Sequence, residues 1–195
     1  MFIETIAPEA ASGAVAEMYD AVRKPTGRVP NFTRPFSLRP GVYALWRQLL
    51  ETAKADMDPR RYELATLAAA RRLRSSYCML AHGSVLLDLS VAPDALREIA
   101  TDHRAAGLDE VDVAVMDLAE KIADDASAVT QADIDRLRAL GLSDAEVFDV
   151  VLAAGLRCFF SKVVDAVGAE PDADYNDLEP ALRDALTVGR QIVRS

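Results

Sequence analysis

Cysteine and histidine are scarce in this chain, with two of each in 195 residues. Cys78 and Cys158 stand 80 positions apart and build no disulfide framework, so a reducing cytoplasm is the expected setting. Positive charge is also short: 22 Lys and Arg face 31 Asp and Glu, for a formal net charge of −9 and a pI near 4.7. Nothing supplies the phosphate-neutralising patch of a nucleic-acid binder, which excludes that class of partner. Uninterrupted apolar runs stay well under the roughly 20 residues that span a bilayer. The most apolar stretch, VFDVVLAAGLRCFF, is broken by Asp149 and Arg157, so no membrane partner is expected. The opening MFIETIAPEA lacks the basic start and apolar core of a signal peptide. Strand-period alternation is missing as well.

What remains is helical periodicity, and the expected fold class is all-α. Five of the nine prolines, Pro8, Pro25, Pro30, Pro35 and Pro40, fall in the first 40 residues. They leave room for one short amphipathic helix, around Glu9 to Val22, and an irregular segment after it. Beyond Pro40, Tyr43, Trp46, Leu49 and Leu50 form a helical stripe. Asp58 reads as an N-cap with Pro59 at the first helical position. Ser75 and Ser76 break and restart the chain. Ser143 and Glu146 make a capping box before a long apolar helix from Ala145 to about Val167. A last amphipathic helix is expected from about Pro180 to Val193. The organisation that follows is an N-terminal arm (1–40), a helical core (41–168) and a C-terminal helical arm (169–195). Phe32, Phe36, Leu182, Leu186 and Ile192 have no evident partners in sequence, which predicts that both arms lie over a neighbouring subunit.

Three residues carry candidate chemistry. Glu63 is the lone charge in YELATLAAA, residues 62–70, where a buried carboxylate needs a partner; the plain alternative is a first-turn residue facing water. Cys78 would lie in the first turn of its helix if Ser75 or Ser76 caps it, with Arg71, Arg72 and Arg74 upstream to favour a reactive thiol. Its ordinary role would be a small buried hydrophobe. His82 falls four residues on, on the same face, and is placed to take the thiol's proton. Zinc is the weaker reading of Glu63, Cys78 and His82, since a closed site needs a fourth ligand and His103 and Cys158 sit in unrelated patterns. No metal and no cofactor are therefore expected.

The joint spacing is more specific than any one residue. Glu63, eleven residues, Ser75, two residues, Cys78, three residues, His82 resembles the core motif of the AhpD-like proteins within the carboxymuconolactone decarboxylase family, whose redox-active members have Cys where Ser75 stands. The segments VPNFTRPFSLRPGVYALW and VTQADIDRLRALGLSDAEVFDVVLAAGLRCFFSKVVDAVG resemble the peroxidase-related branch, so the likeness covers roughly residues 5 to 170. The resemblance implies an AhpD-like helical fold, a homo-oligomer (a trimer or a multiple of one), and a thiol-dependent peroxidase acting on a small hydroperoxide. In that reading Cys78 is the nucleophile, His82 and Glu63 relay protons, and Tyr77 donates a hydrogen bond near the sulfur. Ser75 cannot close a disulfide with a sulfenic acid, so an external thiol reductant is required. Two alternatives stay open: a decarboxylase-like lyase using His82 and Glu63 as acid and base, and a non-catalytic oligomeric helical scaffold.

Overall fold

A computed structural model of the protein describes residues 1–194. Among the described residues there are nine α-helices and no strand: α1 (Gly13–Thr26), α2 (Pro40–Ala53), α3 (Pro59–Arg72), α4 (Ser76–Asp88), α5 (Pro93–Asp102), α6 (Glu110–Asp125), α7 (Gln131–Ala139), α8 (Asp144–Ala166) and α9 (Pro180–Leu186). None is long and apolar enough to cross a membrane.

Helix α3 is the centre, packed against α4, α6 and α8. Every residue from Tyr62 to Ala70 is buried, as befits a helix apolar on all sides. Its alanines, at 65, 68, 69 and 70, present almost no side-chain bulk, so neighbouring helices approach closely. Asp58 caps it by accepting from the Arg61 N–H at 2.9 Å, and Pro59 sits where no N–H is needed. The Ser143–Glu146 capping box forms at the start of α8.

Arg74 closes α3 in the left-handed region, at φ 56°, a conformation that costs a non-glycine residue free energy but turns the chain sharply into α4. The C-terminal segment locks that turn. The Gly189 N–H donates to Ser76 Oγ at 2.7 Å, and any Cβ on Gly189 would lie 2.0 Å from the Arg74 carbonyl oxygen. Only glycine permits this approach.

The expected arms find their partners within the chain. Phe36 stacks on Phe160 at 5.8 Å between centroids, and Phe32 meets Phe160 and Tyr77 edge-on. Leu182 and Leu186 are fully buried where α9 docks on α4 and α5, and Ile192 packs on the same core. The interface proposed for these side chains is therefore an intramolecular one, since contacts distant in sequence are invisible to a local pattern. Helix boundaries differ for similar reasons. Residues Pro8–Ala10 form a separate 3₁₀ turn, so α1 begins at Gly13, and Pro25 is accommodated within its last turn. The last helix ends at Leu186 rather than Val193, because Gly189 must reach the α3–α4 turn and Val193 is tied by its N–H to the Pro171 carbonyl. Leu49 is exposed, leaving Tyr43, Trp46 and Leu50 as the buried stripe of α2.

Leu186 seats its methyls against the bare backbone of Gly83. Leu186→Ala should therefore destabilise the fold by about 2–5 kcal/mol in urea unfolding; a change within 0.5 kcal/mol would mean that α9 is only loosely attached.

Candidate active site

The α3–α4 turn brings Glu63 and His82 face to face. Glu63 Oε2 lies 2.5 Å from His82 Nδ1, with both side chains mostly buried. The lone carboxylate of α3 is thus partnered rather than solvated. With Nδ1–H donated to the carboxylate, Nε2 carries the free lone pair. Burial pulls the imidazole pKa below its ordinary value, and the positive charge of Arg157 adds to this; the hydrogen bond and charge of Glu63 oppose both. The balance favours the neutral ring over the imidazolium.

Cys78 occupies the third position of α4 and is 3% exposed. Its sulfur accepts two hydrogen bonds from α8: Arg157 Nη1 at 3.1 Å and Ser161 Oγ at 3.1 Å. These donors stand one helical turn apart and share a face of α8. Arg157 is 4% exposed, and no carboxylate pairs with it among the described residues. Burial by itself would lower the guanidinium pKa, yet the charge of the Cys78 sulfur, then that of the Tyr62 oxygen, raises it above the usual value. A buried cation is costly unless it meets polar partners, and those within reach of Arg157 are the Cys78 sulfur and the Tyr62 oxygen. The Phe160 ring, 5.5 Å from the guanidinium carbon, covers it by a cation–π contact.

The expected residues therefore divide into two linked groups. Glu63 pairs with His82, and Cys78 with Arg157 and Ser161. No hydrogen bond joins His82 to Cys78 among the described residues, but the charge of Arg157 acts on both. Arg71, Arg72 and Arg74 turn away from the sulfur: Arg71 bonds Glu120, Arg72 pairs with Asp124, and Arg74 reaches the Val188 carbonyl. The Tyr77 hydroxyl donates to Asp172 and accepts from the Phe32 N–H, so it does not serve the sulfur as expected. Asp172 is a buried acceptor that no local pattern near Tyr77 announces. Ser75 is the N-cap residue of α4, yet its buried hydroxyl makes no capping bond. Cys158 is half-buried on α8, with burial pushing its thiol pKa up. Sequence reasoning missed Arg157 and Ser161 as site residues; the available signal was a lone charge inside the apolar run of α8.

A cavity of about 380 Å³ opens beside this site, walled by Lys54, Met57, Tyr62 and Glu63. Tyr62 borders both the cavity and Arg157. The weak zinc reading gains nothing. The His, Cys and carboxylate ligand atoms that gather within 4.8 Å among the described residues belong to His103, Asp117 and Glu120, whose carboxylates are already held by Arg71, Arg104 and Arg136.

Residues 40–121 match the Carboxymuconolactone decarboxylase family. The alkyl hydroperoxide reductase Rv2159c of Mycobacterium tuberculosis is 36% identical over 107 residues, 54% of this chain and 31% of that protein, so the chain spans about a third of that relative's length. A peroxidase-related protein from Silicibacter sp. TM1040 superposes with a TM-score of 0.76 at 19% identity, over 91% of this chain and 92% of the other. A peroxidase-related protein from Ralstonia eutropha JMP134, described as an alkylhydroperoxidase AhpD core, also gives 0.76 at 19% identity, over 88% and 95%. The fold is thus AhpD-like. Residues 40–121 are similar to the Carboxymuconolactone decarboxylase family, and the chain as a whole has the AhpD-like fold.

The depressed His82 pKa has a consequence for stability. The unfolded chain takes up this proton near pH 6.5, and the folded chain only at lower pH. The contribution is thus fully present above about pH 6.5 and is lost as pH falls through the folded value. Urea midpoints at pH 7.5 and 5.5 should differ less in His82→Gln than in the parent chain. Equal pH dependence would show that His82 is not held neutral by its surroundings.

Proposed function

We propose that this protein is a thiol-dependent peroxidase of the alkylhydroperoxidase type, with Cys78 as its one reacting cysteine. The pair of donors on the Cys78 sulfur carries this reading. Buried cysteines are ordinarily inert, and what sets Cys78 apart is a hydrogen bond from a buried guanidinium that pairs with no carboxylate among the described residues. In the reaction the Cys78 thiolate attacks one oxygen of a hydroperoxide. An S–O bond forms as the O–O bond breaks, and the electron pair leaves on the departing hydroxide or alkoxide. Sulfur is oxidised to sulfenic acid as the peroxide is reduced. His82 takes the thiol proton through water at Nε2 and returns it to the leaving oxygen, while Glu63 holds Nδ1–H and orients the ring. Arg157 and Ser161 position and stabilise the sulfur. An external thiol then attacks the sulfenic sulfur and releases water as a mixed disulfide forms. A second thiol frees Cys78 and leaves as disulfide.

A lyase reading has one observation in its favour. The cavity opens on Glu63 rather than on Cys78, and Lys54 lines it where the carboxylate of a small lactone acid would be received. Turnover separates the two. With cumene hydroperoxide and dithiothreitol, Cys78→Ser should abolish peroxide consumption. Arg157→Met should lower kcat/KM at least about tenfold, from the loss of a charge-assisted hydrogen bond, and Ser161→Ala should cost less. Retained consumption in Cys78→Ser would remove the peroxidase reading.

The assembly we propose is a homo-oligomer. Its support is the exposed stripe of Val42, Leu45 and Leu49 on α2. A monodisperse monomer by light scattering at micromolar concentration would remove that part.

A further inference from the structure

Tyr62 stands between the two halves of the site and takes no step in the peroxide chemistry. It lies in the first turn of α3, directly before Glu63, and is 5% exposed. Its ring meets the His82 ring edge-on, at 6.3 Å between centroids and 67° between planes. The Lys54 ammonium lies 5.9 Å from the Tyr62 ring centroid, and both side chains line the cavity. The phenol oxygen comes within hydrogen-bonding reach of the Arg157 guanidinium and of the Thr66 hydroxyl, one turn along α3.

Neither of those two groups has another partner to satisfy it. Thr66 is fully buried and Arg157 nearly so, and Thr66 Oγ1 and Arg157 Nε make no hydrogen bond elsewhere among the described residues. Buried polar atoms left unpaired are costly, so an oxygen within reach of both matters to each. A guanidinium is also a planar fork with five N–H donors. The single bond from Nη1 to the Cys78 sulfur leaves that plane free to swing about it. Phe160 covers the face, and a second attachment along the edge fixes the orientation. Tyr62 can supply that attachment without taking the charge from the sulfur. Burial pushes its phenol pKa up against the pull of Arg157, with the charge of Glu63 helping, so the group is a neutral hydroxyl at neutral pH. It has one hydrogen to give, to Thr66, and lone pairs to accept from Arg157.

We propose that Tyr62 is a positioning residue of this site: its phenol oxygen accepts from the Arg157 guanidinium and holds Nη1 against the Cys78 sulfur, while its ring packs on His82. One side chain on the cavity wall thereby orients the cation on the sulfur and bears on the imidazole. The role rests on the peroxidase reading, in which the Cys78 thiolate is the nucleophile. A tyrosine that served only as packing would depend on its ring, which phenylalanine reproduces.

Tyr62→Phe keeps the ring and removes the oxygen. The folded chain is treated with iodoacetamide at neutral pH, and labelling of each cysteine is followed by mass spectrometry. Alkylation proceeds through the thiolate, so its rate reads how well the cation serves the sulfur. Cys78 should react about tenfold more slowly in Tyr62→Phe, the loss expected for one hydrogen bond to a charged group, with Cys158 unchanged. In an Arg157→Met background the same substitution should change nothing, because the group it acts through is gone. Thr66→Val should slow Cys78 in the same direction, by less. Unchanged or faster labelling of Cys78 in Tyr62→Phe would overturn the proposal, since a loosened fold speeds both cysteines and a phenol competing for Arg157 would speed Cys78 once removed. A slowing that persists without Arg157 would overturn it too. Iodoacetamide needs no peroxide turnover, so the two readings fail separately: a parent chain that consumes no cumene hydroperoxide sinks the peroxidase reading, and unchanged labelling in a chain that consumes it sinks only the role of Tyr62.

Discussion

Arg157 carries its charge into the interior of a helical protein with no carboxylate pairing with it among the described residues. A cation in that position is tolerated only where something negative or strongly polar meets it, and the sulfur of Cys78 is what meets it. Much of the surrounding packing serves that one contact. Helix α8 must hold its register against α3 so that Arg157 and Ser161, one turn apart, both face α4. Phe160, between them, is clamped by Trp46 at 4.2 Å and by Phe36, which binds α2 and the N-terminal segment to the same helix. Aromatic stacking thus fixes the helix whose neighbouring side chain fixes the sulfur.

The other half of the site depends on a backbone conformation. Glu63 and His82 belong to successive helices, and they meet because Arg74 adopts a left-handed turn between them. Gly189 bonds Ser76 Oγ and packs against the Arg74 carbonyl, so the C-terminal segment acts as a strap on the turn that brings Glu63 and His82 together. Tyr77 provides a second tie. Its bond to buried Asp172 and its acceptance from Phe32 join α4 to both chain ends at the residue preceding Cys78.

Local grammar was the legible part of the sequence. The Asp58–Pro59 start, the Ser143–Glu146 box and the all-α class follow from spacing and propensity within a few residues. The pairing of Glu63 with His82 was also within reach, because an isolated carboxylate in an apolar stretch requires a partner and the motif frame named one. The cation on Cys78 was not readable in the same way. Three arginines lie within seven residues of Cys78 in sequence and bond elsewhere, whereas Arg157 is 79 positions away. Helical periodicity tells which face of α8 is buried, and it is silent on which helix that face meets. The same limit explains the arms: Phe32, Phe36, Leu182 and Leu186 looked unpartnered because their contacts are distant in sequence.

The account rests on the environment of the Cys78 sulfur rather than its exposure, and the chain contains its own control. Cys158 is the more exposed thiol, and burial without a hydrogen-bonded cation raises its pKa. The direct measurement exposes the folded protein to substoichiometric hydrogen peroxide in the presence of dimedone and quantifies the labelled peptides by mass spectrometry. The account predicts that the sulfenic-acid adduct accumulates on Cys78 first, and that Arg157→Met abolishes that preference. Equal labelling of the two cysteines, or label appearing first on Cys158, would contradict it.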